Sequence, residues 1–99
     1  MRALAPADLT AAARALLALP EAQREAAAGR LLCEAEAADR HRKRLGRVHP
    51  RWGGGTLEGA ARGWPLAPPR PLADTEFLAC LWLIIGAILA RRRAAHCRT

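Results

Sequence analysis

The residues best suited to chemistry in this chain are cations. Arg40, Arg42, Lys43, Arg44, Arg47 and Arg51 stand within residues 40–51, which hold no acid, with His41 and His49 between them. Guanidinium forks match phosphate and carboxylate groups. Such a run could bind nucleic acid in a salt-dependent, sequence-indifferent way, or dock on an acidic protein surface. It also suits a solvated helix end, where cations complement the C-terminal dipole and pair with acids one turn back, Glu36 with Arg40 and Asp39 with Lys43. No zinc-finger spacing, RNP-like strand or helix-turn-helix pair accompanies it, so a base-reading code is absent.

Downstream lies Arg51-Trp52-Gly53-Gly54-Gly55-Thr56-Leu57, a glycine-rich loop entering a helix. Loops of this kind can aim backbone amides at an anion. A phosphate loop of the Walker type has Lys after its last glycine, whereas Gly55 is followed by Thr56; a dinucleotide fingerprint needs a preceding strand, and none is evident. The plainer expectation is a tight turn anchored by Trp52 packing into the core.

Metal and nucleophile chemistry find less support. Cys33, His41, His49, Cys80, His96 and Cys97 lack any C-x-x-C or H-x-x-x-H spacing. Cys80 falls in an apolar run, where a thiol behaves as a small hydrophobe, and the chain contains no serine. These features predict a protein that is not an enzyme, with no metal and no cofactor.

The elements that must position these residues are helices. Asp8 is a good N-cap, and Leu9, Ala13, Leu16 and Leu17 then recur on one helical face, which predicts a helix over 8–19. Pro20 ends it and suits the start of a second helix, 21–44, with Ala27, Ala28, Leu31, Leu32, Ala35 and Ala38 along one stripe. Gly46 is a natural stop and 46–56 reads as loop. Thr56 caps a short helix over 57–62. Residues 64–73 form a proline-rich connector that is extended rather than helical. Asp74 caps a last helix over 75–95, with Glu76 in its first turn and three arginines near its end, as the macrodipole favours; residues 96–99 read as a tail.

In that last helix Phe77, Leu78, Leu81, Trp82, Ile85, Ile88 and Leu89 form a bulky face, and Ala79, Leu83, Gly86, Ala87 and Ala90 a nearly opposite, small one. A helix apolar all round is expected to be covered all round, which makes it the central element of an all-α bundle of three or four helices in one domain, residues 1–95. The small face, with Ala79, Gly86 and Ala90, is a candidate surface for self-association. Phe77–Ala90 would rise about 21 Å as a helix against about 30 Å of hydrocarbon, and cations lie on both sides of it. A membrane anchor is therefore the weaker reading. Asp8 and Arg14 interrupt any secretory apolar region, so a cytoplasmic setting with reduced thiols is expected.

Composition agrees. The chain has 99 residues, a net charge of +7 and an apolar fraction of 52%, with 24 alanines and four aromatics. That is too apolar for disorder and too short for an enzyme with its own cofactor domain. The charge is uneven: residues 1–39 sum to −2 while 40–51 carry +6 and 91–99 carry +4. Alanine stripes favour close helix packing more than large buried areas.

Asp8 through Leu19, the segment Leu31-Leu32-Cys33-Glu34-Ala35-Glu36-Ala37-Ala38-Asp39-Arg40, and His49-Pro50-Arg51-Trp52-Gly53-Gly54-Gly55-Thr56-Leu57 together resemble a family of small uncharacterised proteins of Rhodobacter-type alphaproteobacteria, a domain of unknown function. Gly54 stands where that family usually has a polar residue. The resemblance spans about residues 8–93 and implies a small helical bacterial protein; it brings no catalytic residues. The functional expectation is an interaction or accessory protein that binds a protein partner through Arg40–Thr56, with nucleic-acid binding through the same arginines as the rival.

Overall fold

A computed structural model describes residues 1–97. It contains α1 (Pro6–Leu17), α2 (Glu21–Leu45), α3 (Leu57–Ala61) and α4 (Thr75–Cys97), the all-α fold expected. The last helix runs two residues beyond the expected limit of 95, into the segment expected as a tail; residues 98 and 99, and the side chains of His96 and Cys97, lie outside the described residues.

Each helix end has an identifiable cause. Pro6 opens α1 two residues before the expected start. Asp8 is thus not the N-cap but lies in the first turn, where its carboxylate accepts the Ala5 amide at 2.7 Å. The helix ends at Leu17, two residues short of the expected 19, because Arg24 takes over the carbonyls of the last turn. Its Nε donates to Leu16 O at 2.9 Å and Leu19 O at 3.0 Å, and its Nη2 to Leu17 O at 3.3 Å. Gly46 closes α2 in the left-handed conformation, φ 68°. Thr56 Oγ1 accepts from Gly59 N at 3.0 Å to cap α3. Asp74 caps α4 through the Phe77 amide at 2.8 Å.

The central element is α1, not α4. Ala11, Ala12, Ala13, Ala15, Leu16 and Leu17 are all buried, and α1 packs against each of the other three helices, most extensively α4. A helix hemmed in on several sides must be thin, and alanine makes it so. The α2 stripe of Ala27, Ala28, Leu31, Leu32, Ala35 and Ala38 is buried throughout, as its spacing predicts.

The helix α4 buries Phe77, Cys80, Ile84 and Ile88 against α1 and α2, but Leu78, Trp82, Ile85 and Leu89 remain exposed. The expected all-round cover is absent because α1 and α2 occupy one side and, among the described residues, no further helix takes the other. On the small face, Leu83 and Ala87 pack against the core, so part of it is already used by neighbours, while Ala79, Gly86 and Ala90 are exposed.

Two cross-helix ion pairs set the direction of packing. Arg24 meets Glu76 at 3.4 Å and Glu36 meets Arg91 at 2.8 Å. Early residues of α2 face early residues of α4 and late ones face late ones, so the two helices run parallel. The proline-rich connector crosses α1 and is held by a reciprocal pair: Ala67 N donates to Arg14 O at 3.0 Å and Arg14 Nε to Ala67 O at 2.8 Å. Among the described residues no helix is long and apolar enough to cross a membrane.

Candidate functional site

Parallel packing brings both basic segments to one pole of the molecule. Ala95, Arg91 and Arg92 surround Glu36 and Met1, and the Met1 ammonium reaches Asp39 at 3.3 Å. The C-terminal ends of α2 and α4 therefore stand together.

The six cations of the 40–51 segment divide into two groups. Arg42 Nη2 and Lys43 Nζ turn inward onto buried Asp39, at 2.8 and 3.2 Å; the Lys43 pair is the one expected. Arg42, with Lys43 and the Met1 ammonium behind it, holds the Asp39 carboxyl far below the usual carboxylate range against the opposing effect of burial. Arg40, Arg44, Arg47 and Arg51 are exposed, and among the described residues none of them lies within salt-bridge distance of an acid. Glu36, expected to pair with Arg40, is taken instead by Arg91 of α4; a cross-helix partner overrides the local spacing. Leu45 (55% exposed) and Val48 (65% exposed) lie among these arginines.

The loop that follows is built on itself. His49 and Gly53 exchange backbone hydrogen bonds at 2.8 and 3.2 Å. The His49 Nδ1 accepts the amides of Arg51 and Trp52, each at 3.1 Å. The Trp52 ring stacks on His49 with centroids 4.6 Å apart and planes 6° from parallel, and His41 meets the His49 edge at 4.9 Å. Trp52 thus anchors the turn through His49 and does not enter the core. Trp64 packs against the core instead, with its Nε1 donating to Glu34 at 2.8 Å and Arg30 over its face at 4.9 Å. A small open cleft of about 270 Å³ separates the two tryptophans, with Arg30, Glu34 and Arg51 on its walls.

The glycines are not equivalent. Gly53 and Gly55 have φ of 80° and 100°, a region that disfavours side chains. A Cβ at Gly55 would come within 2.8 Å of Asp39, and one at Gly53 within 3.2 Å of the Gly59 backbone. At Gly54 a Cβ would make only ordinary contact, 3.5 Å from Val48 Cγ1, which fits a position able to carry a polar side chain. The anion that this loop and α3 invite is internal: Asp8 Oδ1 accepts the Glu58 amide at 2.8 Å. The anion cradle, the alternative to a plain turn at the start of α3, thus has one of its amides, Glu58 N, taken by the protein's own carboxylate. Sequence reasoning misses this role of Asp8, since the contact spans fifty residues and leaves no local spacing to read. The turn-forming role of His49 does have a local signal, in Pro50 immediately after it and Gly53 at the close.

Among the described residues no three His, Cys, Asp or Glu side chains cluster as a metal site would require. Cys33 is exposed, with Arg91 Nη2 against its sulfur at 2.6 Å; Cys80 is buried, and burial pushes its thiol up from the ordinary value.

Residues 2–88 match the family described as a domain of unknown function, DUF7742, and the chain belongs to it. No curated protein and no solved structure matches. The matched region contains Asp8, Asp39, the cations of 40–51 and the glycine loop, and ends before Arg91–Arg93.

Proposed function

We propose that this DUF7742 member is a non-enzymatic interaction module, acting in a bacterial cytoplasm, whose working surface is the pole formed by Arg40, Arg44, Arg47 and Arg51, with the loop Trp52–Thr56 holding that surface in shape. Its partner is an acidic protein surface. The observation that carries this reading is the exposure of Leu45 and Val48 among the exposed arginines. Arginine is enriched at protein interfaces, and exposed apolar side chains beside it add area that a protein partner can bury. A phosphate track would instead present a row of cations with stacking aromatics, and here Trp52 is engaged with His49.

The test is a salt titration with two labelled probes, a glutamate-rich peptide and a single-stranded oligonucleotide. The expected result is peptide binding at low salt that the double reversal Arg44→Glu, Arg47→Glu abolishes and that Val48→Asp weakens. Oligonucleotide binding with a steep salt slope, unaffected by Val48→Asp, would transfer the surface to nucleic acid. Binding of neither probe at low salt would end the proposal.

A further inference from the structure

The uncovered side of α4 has a pattern of its own. Leu78, Trp82, Ile85 and Leu89 are 46%, 74%, 38% and 43% exposed. Their spacing is four, three, four, the alternation of a heptad seam, so they form one straight strip down the helix. Together they present on the order of 400 Å² of apolar surface, within the roughly 300–600 Å² of the largest patch on a typical monomer, a patch that is often functional. Beside the strip lie Ala79 and Gly86, also exposed, with open space where a Gly86 Cβ would be. Small residues flanking a seam allow another helix backbone to come close.

The charges at the two ends of the strip differ in sign. Asp74 and Glu76 stand at its N-terminal end, and Arg92 and Arg93, both exposed, at its C-terminal end. An anionic bilayer would attract one end and repel the other. A second copy lying antiparallel would bring each acidic end beside a basic end and align the helix dipoles favourably. A parallel copy would set arginine against arginine. Arg70 and Arg24 already touch these carboxylates, so the complementarity sets direction more than strength.

We infer that two copies of this chain pair through the outer face of α4 in antiparallel register, with Leu78 of each against Leu89 of the other and Trp82 against Ile85. In that register Thr75 meets Arg92, and Asp74 comes level with Arg93. The apolar seam, Leu78 to Leu89, shares no residue with Arg40–Arg51, although its basic end, Arg92 and Arg93, adjoins that pole. Trp82→Glu and Ile85→Lys therefore test the dimer without altering the acidic-partner surface. The dimer would offer the acidic-partner reading two equivalent basic poles at opposite ends of one particle.

Sedimentation equilibrium over about 1 µM to about 1 mM tests this. The wild-type mass should rise from 10.7 kDa towards twice that value. Trp82→Glu or Ile85→Lys alone should weaken association at least roughly tenfold, by placing an unpaired charge in the seam, with helical content unchanged by circular dichroism because both positions face outward. Mixing the two variants should restore dimers, since the antiparallel register sets the carboxylate introduced by Trp82→Glu in one copy opposite the ammonium introduced by Ile85→Lys in the other. A wild-type chain that remains monomeric, single variants that dimerise normally, or a mixture that stays monomeric would each overturn the proposal. So would a monomer that binds phosphatidylglycerol–phosphatidylcholine vesicles and loses that binding on Trp82→Glu, which would give the strip to a membrane surface.

Discussion

The carboxylate of Asp8 accepts the amide of Glu58 at 2.8 Å while its other oxygen accepts the amide of Ala5 at 2.7 Å. One buried side chain thus satisfies an amide at the start of two helices, α1 and α3, and ties the N-terminal helix to the glycine loop. Asp8→Ala should destabilise the fold by about 2–3 kcal/mol, the sum of two lost caps at a buried site. Urea denaturation would measure it, and Asp8→Asn, which keeps one acceptor oxygen, should fall between the two.

Asp39 makes stability acid-sensitive. Its carboxyl is held below its ordinary value of 3.8 in the fold, chiefly by Arg42. A lowered folded-state value contributes stability that is complete above the unfolded value and is lost as pH falls below it. Melting temperature should therefore be flat from neutrality to about pH 5 and decline below about pH 4. Asp39→Asn should lose stability at neutral pH and flatten the acid decline; an unchanged acid limb would show that other carboxylates govern it.

Gly54 and Gly55 are neighbours with opposite tolerances. Gly55→Ala meets both a positive φ and the Asp39 side chain, and should cost about 2–3 kcal/mol. Gly54→Ser should remain within about 0.5 kcal/mol of wild type. Thermal melts of the two single variants would suffice, and equal effects would contradict the loop geometry.

Arg24 closes α1 from below. Arg24→Met keeps an apolar stem but removes the guanidinium donor from the carbonyls of Leu16, Leu17 and Leu19, of which Leu16 keeps the Leu19 amide, with an expected loss of about 2–3 kcal/mol. Arg24→Lys, with a single ammonium, should recover only part of it. Chemical denaturation of both variants would check the order.

Much of this fold is legible in the sequence because its signals are local. Gly46, Thr56 and Asp74 act where their types and positions say they should, and the α2 stripe is buried residue for residue. The misreadings are long-range. Apolarity around α4 does not reveal which elements are left to cover it; Ile84, fully buried, and Trp82, mostly exposed, are equally apolar on paper. Glu36 has a good partner at Arg40 by spacing and a better one at Arg91 by topology. The basic segment is visible as a cluster, but the pairing of Arg42 and Lys43 with Asp39 depends on the burial of that carboxylate, and the placing of 91–93 at the same pole depends on α2 and α4 being parallel. The turn at His49–Gly53 is visible as a loop, and only the side-chain stack distinguishes its anchor from a core residue.

The central place of α1 has a consequence for synthesis. This helix is made before every element that surrounds it, and its most extensive neighbour, α4, is made last. A nascent chain carrying only α1 to α3 has an alanine-lined helix with one flank open. Completion of the domain must wait for α4 to emerge, so the interval before α4 is available is when this segment is most exposed to chaperones and proteases. Substitutions that weaken the Phe77–Ile88 contact face should accordingly lower yield in cells more than their equilibrium effect on the finished protein would suggest.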